Sequence, residues 1–289
     1  MATTSEWIAG ARPRTLPAAA APVLIGSGAA ADVGAFAWLP AVLALGVALA
    51  LQIGVNYAND YSDGVRGTDV DRVGPLRLTA SAAAPPRQVK GAAFASFGVA
   101  GVLGLALCAV SGHWWLLAVG VLCVLAAWYY TGGTHPYGYA GLGEVGVFVF
   151  FGLVATLGTT YTQADTLTWP SVLGAIGVGL IACGLLMVNN VRDIPTDVVA
   201  GKRTLAVRLG DHRARRAYAA CILLPVVLGM VCAAWSPWAL LVAVLLLPAG
   251  LLVAPVIAGA RGPLLVKVLA GTGMFELAYG VLLALGLAL

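Results

Sequence analysis

Long apolar stretches follow one another along almost the whole chain, and they constrain its fold more than any other feature. A run of about 20 apolar residues is long enough to cross a bilayer as one α-helix. Only 10% of the residues are charged, whereas an ordinary soluble domain carries about 25%. The mean hydropathy is +0.94. These values exclude a soluble globular protein and predict an all-α, polytopic membrane protein.

We expect a single transmembrane domain over residues 1–289, built as a bundle of nine helices. The predicted spans lie near residues 16–34, 36–58, 89–111, 114–131, 140–160, 170–190, 217–235, 237–259 and 264–287. The chain contains 37 glycines and many alanines, which suit helices whose backbones approach each other closely.

The distribution of basic residues supports this count of spans. If the spans are right, all 16 Lys and Arg residues fall on the face that carries the N-terminus. The other face keeps little beyond Asp32, His113 and Asp165. Because loops rich in Lys and Arg face the cytoplasm, we expect the N-terminus and the long polar loops to be cytoplasmic.

Two acidic motifs interrupt the apolar pattern where the second and sixth predicted helices end. The first motif contains Asn59, Asp60, Asp63, Asp69 and Asp71. The second motif contains Asn189, Asp193 and Asp197. Each is followed by the same basic spacing, Arg-x4-Arg-Leu, at residues 72–78 and 203–209. The chain therefore looks internally duplicated around a device of carboxylates and arginines.

Residues four apart lie on one side of a helix, so each motif presents a stripe of carboxylate and amide oxygens. Carboxylates are costly near lipid and should face the bundle interior or a wet cavity. Oxygen ligands without His or Cys favour Mg²⁺ over Ca²⁺ or Zn²⁺. The predicted metal ligands are Asn59, Asp60, Asp63, Asp69, Asn189, Asp193 and Asp197. The predicted catalytic residues are Asp60, Asp63, Asp193 and Asp197.

The basic residues beside the motifs suit a diphosphate that shares the metal with the carboxylates. The predicted diphosphate-binding residues are Arg66, Arg72, Arg77, Lys202 and Arg203. The alternative for these charges is that they are solvated loop ends that follow the positive-inside rule. The predicted acceptor-binding residues are Arg14, Asn56, Tyr130 and Tyr137. The tyrosines could equally form an interfacial aromatic belt, and Arg14 could be a helix anchor.

At the acidic motifs the chain resembles the UbiA superfamily of intramembrane prenyltransferases. Members carry two Asp-rich motifs after helices two and six of a nine-helix bundle, where they bind Mg²⁺ and a polyprenyl diphosphate. The first superfamily motif, Asn-Asp-x2-Asp-x3-Asp, begins at Asn59 but meets Gly67 in its last position, so Asp69 is expected to replace that ligand. The second, Asp-x3-Asp, matches Asp193 and Asp197.

A narrower resemblance, to the 1,4-dihydroxy-2-naphthoate polyprenyltransferases of menaquinone synthesis, covers almost the whole chain. The segments that carry it are residues 10–17, 56–77, 132–144 and 189–210. Many other members have a Lys-Arg pair where this chain has Thr131-Gly132-Gly133, which disfavours the benzoquinone-type enzymes. The resemblance implies a bacterial cell membrane enzyme that joins a polyprenyl diphosphate to 1,4-dihydroxy-2-naphthoate. Loss of CO2 then gives the reduced, quinol form of demethylmenaquinone.

Two other functions remain as alternatives. CDP-alcohol phosphotransferases also use intramembrane aspartates, but their further Gly-x3-Asp-x3-Asp pattern does not follow Arg72. Transporter sites lie near the bilayer midplane on broken helices, whereas these motifs lie at helix ends beside basic loops. We expect the lipid bilayer and the two substrates as partners, and no nucleic acid. The prenyl chain length and the oligomeric state stay open.

Overall fold

The computed structural model describes residues 2–67 and 76–289, and these residues form helices and turns without any strand. Nine long helices occur in this described part of the chain: α1 (Pro17–Asp32), α2 (Trp38–Arg66), α3 (Pro86–Ser111), α4 (Leu116–Tyr129), α5 (Gly143–Ala164), α6 (Trp169–Val199), α7 (Asp211–Ala234), α8 (Pro237–Ile257) and α9 (Pro263–Ala288). Two short helical segments precede α1, at Thr4–Gly10 and Pro13–Thr15. Two others lie between long helices, at Tyr137–Ala140 and Leu205–Leu209.

Each predicted span meets one long helix, and the all-helical membrane fold class is confirmed. Seven helices, α2, α3 and α5–α9, are long and apolar enough to cross a membrane, and α4 is a shorter apolar helix of 14 residues. Helix α1 has 16 residues. The number of nine membrane crossings therefore stays a prediction.

Helices α2 and α6 extend well beyond their predicted spans of 36–58 and 170–190. Asn59, Asp60 and Asp63 continue α2 instead of starting a loop, and Asn189, Asp193 and Asp197 continue α6 in the same way. Helix α2 ends at Gly67, whose φ of 73° is the left-handed conformation that glycine adopts easily at a helix C-terminus. Gly67 is also the position where the superfamily motif has its last aspartate. Ending the helix there explains why glycine replaces the acid.

Helices α1 and α9 pack along each other at very short backbone separation. A Cβ atom added to Gly28 would lie 2.6 Å from the Cα atom of Ala284. One added to Gly280 would lie 2.8 Å from the Cα atom of Ala21. Small residues are needed wherever membrane helices approach this closely. These two glycines therefore set the spacing of α1 and α9.

Two buried apolar clusters hold the bundle together. The larger one joins α1 with α6–α9 through side chains such as Ile25, Ile181 and Tyr279. The smaller one joins α2 and α3 with the residues after position 76 through side chains such as Leu78 and Phe97. A cavity of about 1520 Å³ is lined by α1–α6 and the start of α9, and thus by helices of both clusters. This cavity contains the candidate site.

Helix α5 carries a π-helical segment at Phe148–Val154. In such a segment the backbone hydrogen bonds run from i to i+5, so one turn contains more residues than an α-helical turn. π-Helical segments often mark functional sites. Phe150 and Phe151 both line the cavity, whereas Phe148 lies against Gly179 of α6. The π segment therefore lets one short stretch of α5 pack on α6 and also cover the cavity wall.

Candidate active site

The polar end of the cavity collects side chains from both acidic motifs, as the sequence predicts. The predicted site residues that line it are Arg14, Asn56, Asn59, Asp63, Arg77, Tyr130, Tyr137, Asn189, Asp193, Asp197 and Lys202. Asp60, Arg66 and Arg203 do not line it. Asp69, Asp71 and Arg72 lie outside the described residues. Helices that are four spans apart thus bring their polar ends to one place.

In the first motif, Asn59 and Asp63 lie one helical turn apart and face the cavity. The Oδ1 atom of Asn59 accepts a hydrogen bond of 2.8 Å from the Thr131 hydroxyl. The Asp63 carboxylate is buried and accepts a hydrogen bond from the Tyr139 hydroxyl. The Lys202 Nζ atom lies 3.9 Å from the same Asp63 oxygen. A cation of the second half of the chain therefore already neighbours a carboxylate of the first.

Asp60 lies behind the cavity wall and is paired with backbone groups. Its carboxylate is only 1% exposed, and its two oxygens accept hydrogen bonds from the backbone N–H groups of Leu78 (2.8 Å) and Thr79 (2.9 Å). A buried carboxylate needs such donors to offset its lost hydration. In the structure this side chain holds the segment after position 76 against α2, and the assignment of Asp60 as a metal ligand and catalytic residue stays a prediction.

In the second motif, Asn189, Asp193 and Asp197 follow one another at successive turns of α6 and all line the cavity. The chain then reverses at Gly201, which has a φ of 72°. The Lys202 N–H group donates to the Asp197 carbonyl oxygen over 2.8 Å. This tight reversal explains how a lysine beyond the end of α6 returns to the site beside Asp63.

Tyr139 joins the two halves of the site, and the sequence did not identify this role. Its hydroxyl bonds to Asp63, and its carbonyl oxygen accepts a 2.9 Å hydrogen bond from the Arg203 N–H group. The ring lies 4.6 Å from the Lys202 Nζ atom and 5.4 Å from the Arg66 Cζ atom, both suitable for cation–π contact. The sequence has four tyrosines close together here, and nothing in their pattern distinguishes Tyr139; they are Tyr129, Tyr130, Tyr137 and Tyr139. Only the fold shows which of them contacts Asp63.

Tyr130 and Tyr137 do line the cavity, as predicted for acceptor-binding residues. Their rings make an edge contact with centroids 5.4 Å apart. Burial raises the pKa of Tyr137 to about 12, so its hydroxyl stays protonated at neutral pH. The two rings can supply an aromatic wall, and the Tyr137 hydroxyl can donate a hydrogen bond.

Arg66 and Arg203 act at the edge of the site and not on the cavity wall. The Arg66 guanidinium donates to the carbonyl oxygens of Thr131 and Gly133. It thereby fixes the turn after α4 that carries Thr131 next to Asn59. Arg203 is exposed, and its backbone holds Tyr139. Their prediction as diphosphate-binding residues therefore stays open, whereas their positioning contacts are visible.

The turn before α1 closes one side of the cavity. Asn56 donates from Nδ2 to the Ala11 carbonyl oxygen (2.9 Å) and to the Thr15 hydroxyl oxygen (3.0 Å), and Gln52 donates to the same hydroxyl over 2.9 Å. Asn56 thus positions the turn, and its acceptor-binding role stays a prediction. Arg12 adopts a left-handed φ of 53° and is half-buried at the cavity, whereas Arg14 lines the cavity from a more exposed position.

The oxygen donors of the two motifs fit a hard divalent cation. Among the described residues, no three His, Cys, Asp or Glu side chains gather closely enough to form a complete metal site. Each motif instead offers one amide oxygen and one or two carboxylates on the cavity wall. Mg²⁺ is commonly held by one or two carboxylates and completes its shell with water and substrate phosphates.

Comparison with known proteins agrees with this geometry. The model of the UbiA prenyltransferase family matches residues 19–258. The chain belongs to the UbiA prenyltransferase family. Among relatives in this family, the 1,4-dihydroxy-2-naphthoate octaprenyltransferase of Mycobacterium tuberculosis is 51% identical over 296 residues, which covers 100% of this chain and 98% of that protein. The Escherichia coli enzyme of the same name is 44% identical over 76% of this chain and 73% of its own length.

Solved structures of family members share the fold. The apo structure of a UbiA homolog from Aeropyrum pernix K1 has a TM-score of 0.70 and 17% identity, and the match covers 93% of this chain and 96% of that chain. The UbiA homolog from Archaeoglobus fulgidus bound to GPP and Mg²⁺ has a TM-score of 0.65 and 14% identity, and covers 96% and 99%. The UbiA architecture is therefore maintained although few residues are identical.

The different places of Asp60 and Asp63 lead to a paired prediction. Asp60→Asn puts an amide N–H group against a backbone N–H group, so we expect it to lower the stability by about 2 kcal/mol. Asp63→Asn should leave the melting temperature unchanged but lower kcat/KM by about 100-fold or more, since it removes a charge from the cavity wall. Thermal unfolding and prenyl transfer by the two purified variants measure this. An Asp60→Asn protein that melts like wild type but no longer binds a divalent metal would instead identify Asp60 as a metal ligand.

Proposed function

We propose that this protein transfers a polyprenyl group from a polyprenyl diphosphate to 1,4-dihydroxy-2-naphthoate. The observation that carries the proposal is the single cavity that joins two acidic motifs and several cations at one end to a long apolar wall. The full-length likeness to the naphthoate octaprenyltransferase of Mycobacterium tuberculosis supports the choice of acceptor. We treat residues 1–289 as one transmembrane domain that performs the whole reaction.

The polar end would hold Mg²⁺ and the diphosphate. Asn59 and Asp63 from α2 face Asp193 and Asp197 from α6, so the metal would be held between the two motifs. When bound, Mg²⁺ neutralises the charge that develops on the departing diphosphate. Lys202 adds a fixed positive charge there, since its Nζ atom is buried next to Asp63.

The remainder of the cavity suits the isoprenoid chain. Its wall consists mainly of aliphatic and phenyl side chains of α2–α5, including Val47, Leu105, Val121 and Phe151. An apolar wall excludes water, which protects an allylic cation from hydrolysis. The same wall would bind a long apolar chain by burying its surface.

The naphthoate ring would lie between the diphosphate and the tyrosines. As the allylic C–O bond breaks, its electron pair leaves with the diphosphate, and the ring carbon that bears the carboxylate forms the new C–C bond. The C–COO⁻ bond then breaks as CO2, and its electron pair restores the aromatic ring. The ring needs no external oxidant, and its carboxylate must be held until it leaves. Arg12 and Arg14, both on the cavity wall, are the candidates for that task.

Product analysis tests the activity. Purified protein in nanodiscs should give a prenylated, decarboxylated naphthalenediol from a polyprenyl diphosphate, Mg²⁺ and 1,4-dihydroxy-2-naphthoate. With 4-hydroxybenzoate we expect no product. Excess EDTA should abolish turnover, because the carboxylates of the motifs repel the diphosphate unless a metal is bound between them. Mass spectrometry detects the products; full turnover in EDTA contradicts the metal, and prenylated hydroxybenzoate contradicts the acceptor.

We further propose that the site faces the cytoplasm of a bacterial cell. The support is the concentration of Lys and Arg on the face of both motifs. In a variant without its five cysteines, Thr196→Cys should resist an impermeant thiol reagent in intact cells and react in inverted vesicles. The exposed Thr166 lies after α5 at the other end of the bundle. Thr166→Cys is therefore the matched control and should show the opposite pattern; labelling of both positions from outside contradicts the proposed orientation.

The two arginines of the N-terminal turn can be separated by kinetics. Arg12 is half-buried on a turn held by Asn56, whereas Arg14 is more exposed. An ion pair is stronger where solvent is excluded. We therefore expect Arg12→Gln to raise the KM for the naphthoate by about tenfold or more with little change for the prenyl diphosphate, and Arg14→Gln to have a smaller effect. Equal effects on both substrates would reduce Arg12 to a structural role.

A further inference from the structure

Arg192 lies within the second acidic motif, and its guanidinium contacts two residues of that motif. Its Nε and Nη2 atoms lie 2.7 Å from the two carboxylate oxygens of Asp193, and Nη2 also lies 2.9 Å from the Oδ1 atom of Asn189. The guanidinium side chain is 5% exposed and the Asp193 side chain 8%. All three residues line the main cavity. The second motif thus contains its own bound cation.

The oxygen atoms that Arg192 contacts are the ones that a metal would use. Both Asp193 oxygens and the Asn189 amide oxygen take part in the fork of contacts. A guanidinium and a divalent cation repel each other and compete for the same lone pairs. A buried carboxylate without any cation is strongly unfavourable. The arrangement therefore stabilises the motif before a metal arrives and opposes metal binding at the same time.

We propose that Arg192 is a resident counter-ion that Mg²⁺ displaces from Asp193, and that the displaced guanidinium then binds the diphosphate. This proposal rests on the metal-dependent function above. Arg192 lies on the cavity wall, so after leaving Asp193 it still faces the space where the diphosphate would be held. Arginine binds phosphate oxygens with the same two-pronged geometry that it uses for a carboxylate.

The consequence is that metal and diphosphate bind together better than either binds alone. Metal alone must separate a buried ion pair, whereas metal with diphosphate gives the arginine a new anion. Removing the positive charge should therefore have two opposite effects: tighter binding of metal alone and weaker binding of diphosphate. An arginine that only supports the fold would weaken both when replaced.

Metal binding without turnover tests this role. Mn²⁺ is titrated into the protein in nanodiscs and followed by electron paramagnetic resonance, first alone and then with inorganic pyrophosphate. We expect Arg192→Gln to bind Mn²⁺ alone about tenfold more tightly than wild type, and pyrophosphate in the presence of Mn²⁺ about tenfold more weakly. Arg213→Gln is the matched control, because Arg213 is exposed near the start of α7 and does not line the cavity. It should match wild type in both titrations.

Arg192→Lys keeps the positive charge but loses the two-pronged contact with Asp193. This variant tests the proposal if Arg192→Gln does not fold. Its Mn²⁺ affinity should exceed that of wild type without reaching that of Arg192→Gln. Unchanged or weaker Mn²⁺ binding by a folded Arg192 variant overturns the counter-ion role while wild-type Mn²⁺ binding upholds the metal site. A wild-type protein that binds no Mn²⁺, even with pyrophosphate, overturns both proposals.

Discussion

Buried carboxylates at the ends of α2 and α6 are the constraint on which the rest of the site depends. A carboxylate that leaves water must gain hydrogen bonds or a cation, or it will take up a proton. The structure meets this need locally: Asp60 accepts from two backbone N–H groups, Asp63 from Tyr139, and Asp193 from Arg192. The segment after position 76 and the turn after α4 therefore take conformations that deliver the donors to Asp60 and Asp63, whereas Arg192 lies on α6 itself. Hydrogen bonds to buried carboxylates therefore hold these segments in place around the site.

The two acidic motifs resemble each other in sequence but are stabilised differently. Asp63 of the first motif accepts from a neutral phenol and has a lysine nearby, whereas Asp193 of the second is held by a full guanidinium ion. An incoming metal would thus meet different resistance on the two sides. The first side would keep its hydroxyl donor beside the metal, and the second would have to release its cation. The duplication seen in the sequence therefore yields a site that is chemically asymmetric.

The sequence predicted the helical membrane fold and the meeting of both motifs, because length, hydropathy and spacing along one helix are local properties. It could not predict partners that depend on how distant segments pack. Asp60 and Asp63 look equivalent in the motif, and only the position of Leu78 and Thr79 separates them. The role of Tyr139 likewise depends on α2 and the turn after α6 meeting at its ring. Arg192 was counted only as a positive loop charge, since its contact with Asp193 requires a particular rotamer and not a pattern.

Helix α6 lies between the larger apolar cluster and the helices that line the cavity. It belongs to the larger apolar cluster with α1 and α7–α9, and it also supplies cavity residues as far as Asp197. The close contact of α1 and α9 through Gly28 and Gly280 stabilises the wall behind it. By contrast, α3 and α4 expose many large apolar side chains outward and line the cavity inward. A long isoprenoid chain would therefore be accommodated by the less densely packed helices, while the well-packed α6 carries Asn189, Asp193 and Asp197. This division would let one enzyme combine an adaptable apolar wall with acidic residues carried by a well-packed helix.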